Sequence, residues 1–261
     1  MSNDIPGVDS LVDDGVLRVT VNRPGRMNAV TTETLEALAD TFEKHAGDGA
    51  VRVAVLTGAG RAFCTGADLS AVEKTSDSPS PAVIDAANRT VAAIRAFPRP
   101  VIGSVNGPAA GVGVSLALAC DLTVAKESTY FLLAFTKIGL MPDGGASALV
   151  AASIGRARAL KMALLAERLP ATEAVSAGLI ADTYPDADFD QAVEALVQRL
   201  ADGPADAFGS TKAAINDATL TELDAAFARE RAGQLRLLAA DDFHEGATAF
   251  IEKRPAVYRN R

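Results

Sequence analysis

This sequence has no tryptophan and few aromatic residues of any kind, 5% of its 261 positions, so a core built from it must be filled by alanine, valine and leucine. It has only two cysteines, Cys64 and Cys120, each inside an apolar stretch, where a thiol reads as a small hydrophobe in a reducing compartment and not as part of a disulfide framework. Its two histidines, His45 and His244, lie far apart in helical stretches and read as surface residues, which leaves no support for a Ser-His-Asp triad and no metal ligands to assign. Cationic residues are outnumbered: 25 Lys and Arg stand against 33 Asp and Glu, a formal charge of −8. That balance argues against a nucleic-acid partner, because phosphate binding is driven by Lys and Arg. No apolar run approaches the ~20 residues that span a bilayer. Met1-Ser2-Asn3-Asp4 lacks a basic then apolar signal pattern, so no membrane partner is expected and a cytoplasmic location is. No repeat recurs at a fixed period.

What is present is a globular composition, 49% hydrophobic and 22% charged. Apolar runs bounded by turns predict strands at Val16 to Val21, Val51 to Thr57, Val101 to Val105, Leu122 to Ala125 and near Leu179 to Tyr184. Amphipathic periodicity predicts helices over Thr34 to His45 and Val83 to Phe97, the second stopped by Pro98-Arg99-Pro100. The mixture implies an α/β core over residues 1–190. Beyond Asp188 only helical periodicity remains, at Asp190 to Ala201, Ala205 to Asp217, Glu222 to Leu238 and Asp242 to Lys253, with Thr219-x-x-Glu222 as a capping box. This region, residues 191–261, has too many apolar side chains (Leu223, Phe227, Leu235, Leu238, Phe243, Phe250) for a solvated appendage, so it packs on the core, on another subunit, or on both. Lys74 to Pro81 is a low-complexity Ser/Pro loop.

Two glycine-rich turns follow strands: Gly58-Ala59-Gly60-Arg61-Ala62-Phe63-Cys64-Thr65-Gly66-Ala67-Asp68-Leu69, and Asn106-Gly107-Pro108-Ala109-Ala110-Gly111-Val112-Gly113. Glycine lets main chain approach a ligand and leaves N–H groups free to converge on one point, as an oxyanion hole requires. In the second turn those groups also open a helix, where the dipole attracts negative charge. A dinucleotide-binding turn is a weak rival, since Phe63 and Leu116 occupy the third positions that a G-x-G-x-x-G run needs filled by glycine.

Five blocks occur in order along nearly the whole chain: Val21-Asn22-Arg23-Pro24 with Met27-Asn28-Ala29-Val30, Ala62 to Leu69, Val105 to Gly111, Ala119-Cys120-Asp121-Leu122, and Phe250-Ile251-Glu252-Lys253-Arg254. In these blocks and their order the chain resembles the enoyl-CoA hydratase/isomerase (crotonase) family. The resemblance implies a crotonase-like spiral of ββα turns with a C-terminal helical trimerisation region, assembled as a homotrimer or a dimer of trimers. It implies an acyl-CoA thioester substrate whose carbonyl accepts from the N–H groups of Ala67 and Val112, with no cofactor beyond the CoA moiety of the substrate. It also implies a CoA site drawn from Arg26, Asn28, Ala29, Gly66, Asp68 and Leu69, with Phe250 and Lys253 reaching CoA from the C-terminal helix.

Hydratases of that family add water with two glutamates, and the matching positions here are Ser115 and Phe135, neither of which can act as an unaided base. A carboxylate follows in Gly139-Leu140-Met141-Pro142-Asp143-Gly144-Gly145, where isomerases of the family resemble this sequence in carrying an acidic proton shuttle, so Asp143 is the candidate acid/base. The same residue also fits a helix N-cap. A dry pocket of Phe63, Phe131, Leu133 and Phe135 is expected to raise its pKa. The resemblance therefore implies a Δ3 to Δ2 enoyl-CoA isomerase. The alternatives are a hydratase in which Asp143 or Asp68 orients water, and a non-catalytic CoA-binding protein.

Overall fold

The computed structural model describes residues 7–69 and 80–259. The Ser/Pro stretch Lys74 to Pro81 thus lies outside the described residues, save its last two positions. The chain opens on a hairpin of β1 (Val8–Asp13) and β2 (Val16–Val21), joined by Asp14-Gly15 with φ of 44° and 75°. Positive φ at both central residues matches the turn to the right-handed twist of its strands. From β2 the sheet continues in parallel through β3 (Val53–Gly58), β4 (Val101–Val105), β6 (Leu122–Lys126) and β9 (Asp182–Tyr184), giving the order β1-β2-β3-β4-β6-β9. A second, three-stranded sheet joins β5 (Ala109–Ala110), β7 (Tyr130–Leu132) and β8 (Leu169–Pro170).

A parallel sheet needs cover on both faces, and alternate side chains of each strand supply the two cores. On one face Leu17, Val19 and Leu56 pack with α1 (Thr32–His45), α2 (Ala82–Ala96) and α3 (Val112–Ala119), with Phe42 and Phe97 edge to face at 5.6 Å. On the other, Val16, Val53, Val55 and Ile102 meet Phe189, Val193, Val197 and Leu200 of α6 (Phe189–Ala201). The expected boundary at 190/191 thus falls just inside a helix that closes the sheet. Thr31 caps α1 by accepting from the N–H of Thr34 at 3.3 Å.

The remaining helices are α4 (Ala146–Leu165), α5 (Ala171–Ala177), α7 (Ala205–Thr219), α8 (Leu223–Leu238) and α9 (Asp241–Glu252). α8 lies on α4 and α2, and α9 lies on a 3-10 turn at Phe135–Ile138, so the helical tail packs on its own core. The expected capping box is absent: Thr219 ends α7 with its hydroxyl donating to Ile215 O, and α8 starts without a side-chain cap. Both cysteines are buried, and burial pushes the Cys64 thiol up to about 12. No described helix is long and apolar enough to cross a membrane.

Candidate active site

β3 and β4 are parallel neighbours that end at Gly58 and Val105, at the carboxyl edge where open α/β sheets bind ligands. The turn after β3 is held by two asparagines. Asn106 donates to Gly58 O and Gly60 O at 2.8 and 2.9 Å. The fully buried Asn28 donates to Ala59 O and Ala62 O at 2.9 and 2.7 Å and accepts from Arg23 N at 2.9 Å. Carbonyls that a buried loop would leave orphaned are thereby satisfied.

Cys64 joins the two turns as a parallel bridge to Ala109: its N–H donates to Pro108 O at 3.3 Å, and its carbonyl accepts from Ala110 N at 2.9 Å. The approach is so close that a methyl group on Gly113 would lie 2.1 Å from Cys64 O. At Gly111, φ of 55° and ψ of −130° turn the chain into α3 through a conformation that only glycine adopts readily. A second bridge joins Val30 to Ala67, through Val30 N to Gly66 O and Asp68 N to Val30 O, both 2.9 Å. Strand alternation then turns the N–H of Ala67 away from Val30, toward solvent. Val112 is the first residue of α3, so its N–H has no intrahelical acceptor. Neither N–H donates to any described residue. Because a methyl on Gly66 would meet Ala110 O at 3.4 Å and Gly111 Cα at 3.7 Å, the two unspent donors sit on adjoining turns.

Asp143 belongs to the same locale. The Gly144 beside it packs on α3, where a methyl would lie 3.1 Å from Ser115 Oγ and 3.3 Å from Val112 Cγ2. Ser115 is fully buried and donates its hydroxyl to Asp143 O at 2.8 Å, so it tethers the loop and has no proton to spare for substrate. The Asp143 carboxyl is partly buried, and its Oδ2 accepts from Gln234 Nε2 at 2.7 Å. Burial pushes its pKa up to about 7; the Gln234 hydrogen bond opposes the rise and the like charge of Glu230 adds to it. Asp143 does not cap α4. That part falls to Glu230 of α8, fully buried, whose Oε2 accepts from Gly145 N at 2.7 Å and Oε1 from Ser147 N at 2.8 Å.

The aromatic pocket takes a different form from the one expected. Phe63, Phe131 and Leu133 are core residues with 2% exposure or less: Phe63 lies within the first turn and Phe131 pairs with Ala109 of the second, while the Phe135 ring comes within 3.9 Å (Cζ) of a methyl placed on Gly111. The Val30–Ala67 bridge brings Arg26 to Ala29 beside Gly66, Asp68 and Leu69. Arg26 is exposed, whereas Asn28 spends its polar atoms inside the fold. Asp68 pairs with Arg23 at 2.9 Å, and Arg23 also donates to Ala29 O, binding the two segments together. Phe250, 64% exposed, and Lys253 stand on the outer end of α9, and no described hydrogen bond joins them to that group. Sequence reasoning did not find Gln234, Glu230 or Arg23. For the first two a signal exists: they continue the buried stripe of Leu223 and Ala226 along α8.

Two unspent main-chain N–H groups on adjoining turns at a parallel sheet edge, with the Asp143 loop packed beside them, are what this site presents. The chain belongs to the enoyl-CoA hydratase/isomerase family, whose model matches residues 12–261. It is 40% identical to a probable enoyl-CoA hydratase of Rhodobacter capsulatus, over 96% of each chain. It is 38% identical to the 1,2-epoxyphenylacetyl-CoA isomerase of Escherichia coli, over 94% of this chain and 95% of that one. The crystal structure of an enoyl-CoA hydratase from Mycobacterium avium subsp. paratuberculosis superposes with a TM-score of 0.92 at 51% identity, covering 98% of this chain and 100% of that one.

Two outcomes follow from this geometry. Gly113→Ala forces the bridged turns apart and costs about 1–3 kcal/mol or more, roughly 2–4 °C of Tm per kcal/mol in a chain of this size. Gly25→Ala, with nothing within 4 Å, leaves the calorimetric Tm unchanged. In Asp143→Asn the pH dependence of stability changes. With its folded pKa raised from 3.8 to about 7, Asp143 holds a proton that the unfolded chain releases, so wild type loses stability as pH rises between those values and levels off above. Denaturant titrations across that window are expected to show the variant gaining on wild type up to about pH 7 and no further.

Proposed function

We propose that the chain isomerises an enoyl-CoA, moving a double bond from position 3 to position 2, with Asp143 as the single acid/base. The observation that carries this reading is one carboxyl, its pKa raised to about 7, beside the Val112 turn, while Ser115 and Phe135 stand where two-glutamate hydration needs carboxylates. The thioester oxygen accepts from the N–H groups of Ala67 and Val112. Ionised Asp143 takes the proton from C2, the negative charge spreads onto that oxygen as a dienolate, and the same proton returns at C4. A donor of an oxyanion hole contributes about 2.7–4 kcal/mol to the barrier, and a placed acid/base ~10²–10⁴ in rate. An acid poised near neutral pH can both take and return the proton.

The name of the Escherichia coli relative supports a ring-derived CoA thioester as the second substrate class to test. The Rhodobacter relative's name supports hydration as the competing reaction, in which Asp143 would orient water. By the family resemblance, Arg26, Ala29, Gly66, Asp68 and Leu69 line the CoA channel, the buried Asn28 instead holding the turn beside it, and Phe250 and Lys253, exposed on α9, meet CoA in a homotrimer or a dimer of trimers.

Incubation with 3-enoyl-CoA is expected to yield 2-enoyl-CoA, with kcat/KM rising through pH 7 and flat above it, because the base works only when ionised. Asp143→Asn is expected to lose ~10²–10⁴ in kcat and with it the pH limb. Turnover near wild type in that variant, or hydroxyacyl-CoA from 2-enoyl-CoA at the faster rate, overturns the reading.

A further inference from the structure

Helix α8 enters the site with two polar side chains on a face that is otherwise apolar. Glu230 and Gln234 are 0% and 1% exposed and continue the line of Leu223 and Ala226. Gln234 contacts the loop that carries Asp143 at two points. Its Oε1 accepts from the N–H of Met141 at 3.2 Å, and its Nε2 donates to Asp143 Oδ2 at 2.7 Å. A main-chain N–H can only donate, so the amide end facing Met141 must be oxygen, and the end facing Asp143 must be NH2. With Gln234 buried, reversing the amide would set donor against donor at Met141.

From this juxtaposition we propose that Gln234 is a positioning residue that gives the two oxygens of Asp143 different duties: Oδ2 is held as a permanent acceptor, and Oδ1 carries the proton in each transfer. The NH2 has no lone pair to accept with, so a proton on Oδ2 would face a donor, whereas Oδ1 is left for the substrate carbon. The assignment rests on the reading of Asp143 as the proton shuttle. Gln234 also stabilises the carboxylate, and so opposes burial.

Among the groups around the carboxyl, Glu230 is the charge that acts on it, from the same helix. Of the neighbouring charged side chains on α8, Arg229 pairs with Glu222 and Arg231 with Asp85. α3 presents the uncharged Ser115, whose hydroxyl is spent on Asp143 O.

The test is a carbon-13 titration of the Asp143 carboxyl without substrate, its resonance assigned by its loss in Asp143→Asn. Gln234→Met keeps the length and removes the donor, and is expected to move the midpoint up by about one pH unit. At pH 7 kcat/KM then falls about fivefold and recovers by about pH 9, which a loosened fold would not do. Gln234→Glu keeps the acceptor for Met141 and supplies an independent variant should the first fail to fold; its midpoint also moves up. An unmoved or lowered midpoint in the folded variant overturns the proposal. A shifted midpoint in an enzyme that isomerises nothing leaves this assignment standing and removes only the proposed reaction.

Discussion

The carbonyl of Cys64 accepts from Ala110 at 2.9 Å, and Gly113 presses so close that even a methyl group there would overlap it at 2.1 Å. This contact of main chain with main chain, made at the ends of two parallel strands, is the constraint on which the site depends. It brings Gly66 against Ala110 and Gly111 and leaves the N–H groups of Ala67 and Val112 unspent on adjoining turns. Neither N–H belongs to a side chain, so the valine at position 112 adds bulk beside that turn and leaves its main-chain donor in place. The buried Asn28 and the half-buried Asn106 hold the first turn, satisfying four of its carbonyls between them.

The Asp143 carboxyl, proposed as the acid/base, is delivered by a different part of the chain. Asp143 sits before α4, tethered through its main chain to Ser115 on α3 and through its carboxyl to Gln234 on α8. Glu230, one turn earlier on α8, takes over the capping of α4 and adds a like charge nearby. The helical tail therefore does more than cover the core. Through Gln234 and Glu230 it sets where the Asp143 carboxyl points and how tightly it holds its proton.

Much of this fold could be read from the chain. β2 and β4 match their predicted limits to the residue because each is an apolar run with a turn on either side. β1 did not announce itself, since an edge strand buries only alternate residues and Leu11 points out at 60% exposure. β5, β7 and β8 are two or three residues long, too short for any periodicity. At the site, the glycine turns and Asp143 were legible because glycine and a lone carboxylate are conspicuous in apolar surroundings. Gln234 and Glu230 were harder to read, because a charged or amide residue on a helix ordinarily faces solvent, and their place on the stripe of Leu223 and Ala226 is the signal that they face inward. Asp143 before two glycines has the pattern of a cap, yet the cap comes from a residue 87 positions away in sequence, Glu230, a pairing that local pattern cannot express.

The central claim is that two main-chain N–H groups polarise a thioester carbonyl. Isotope-edited infrared spectroscopy of an acyl-CoA carrying carbon-13 at the thioester carbonyl, bound to the protein, reads that polarisation directly. Donation from both Ala67 and Val112 lowers the carbonyl stretching frequency below that of the same ligand free in water, and Gly113→Ala, which parts the two turns, returns it toward the free value. A bound carbonyl that absorbs at the free-ligand frequency would contradict the account.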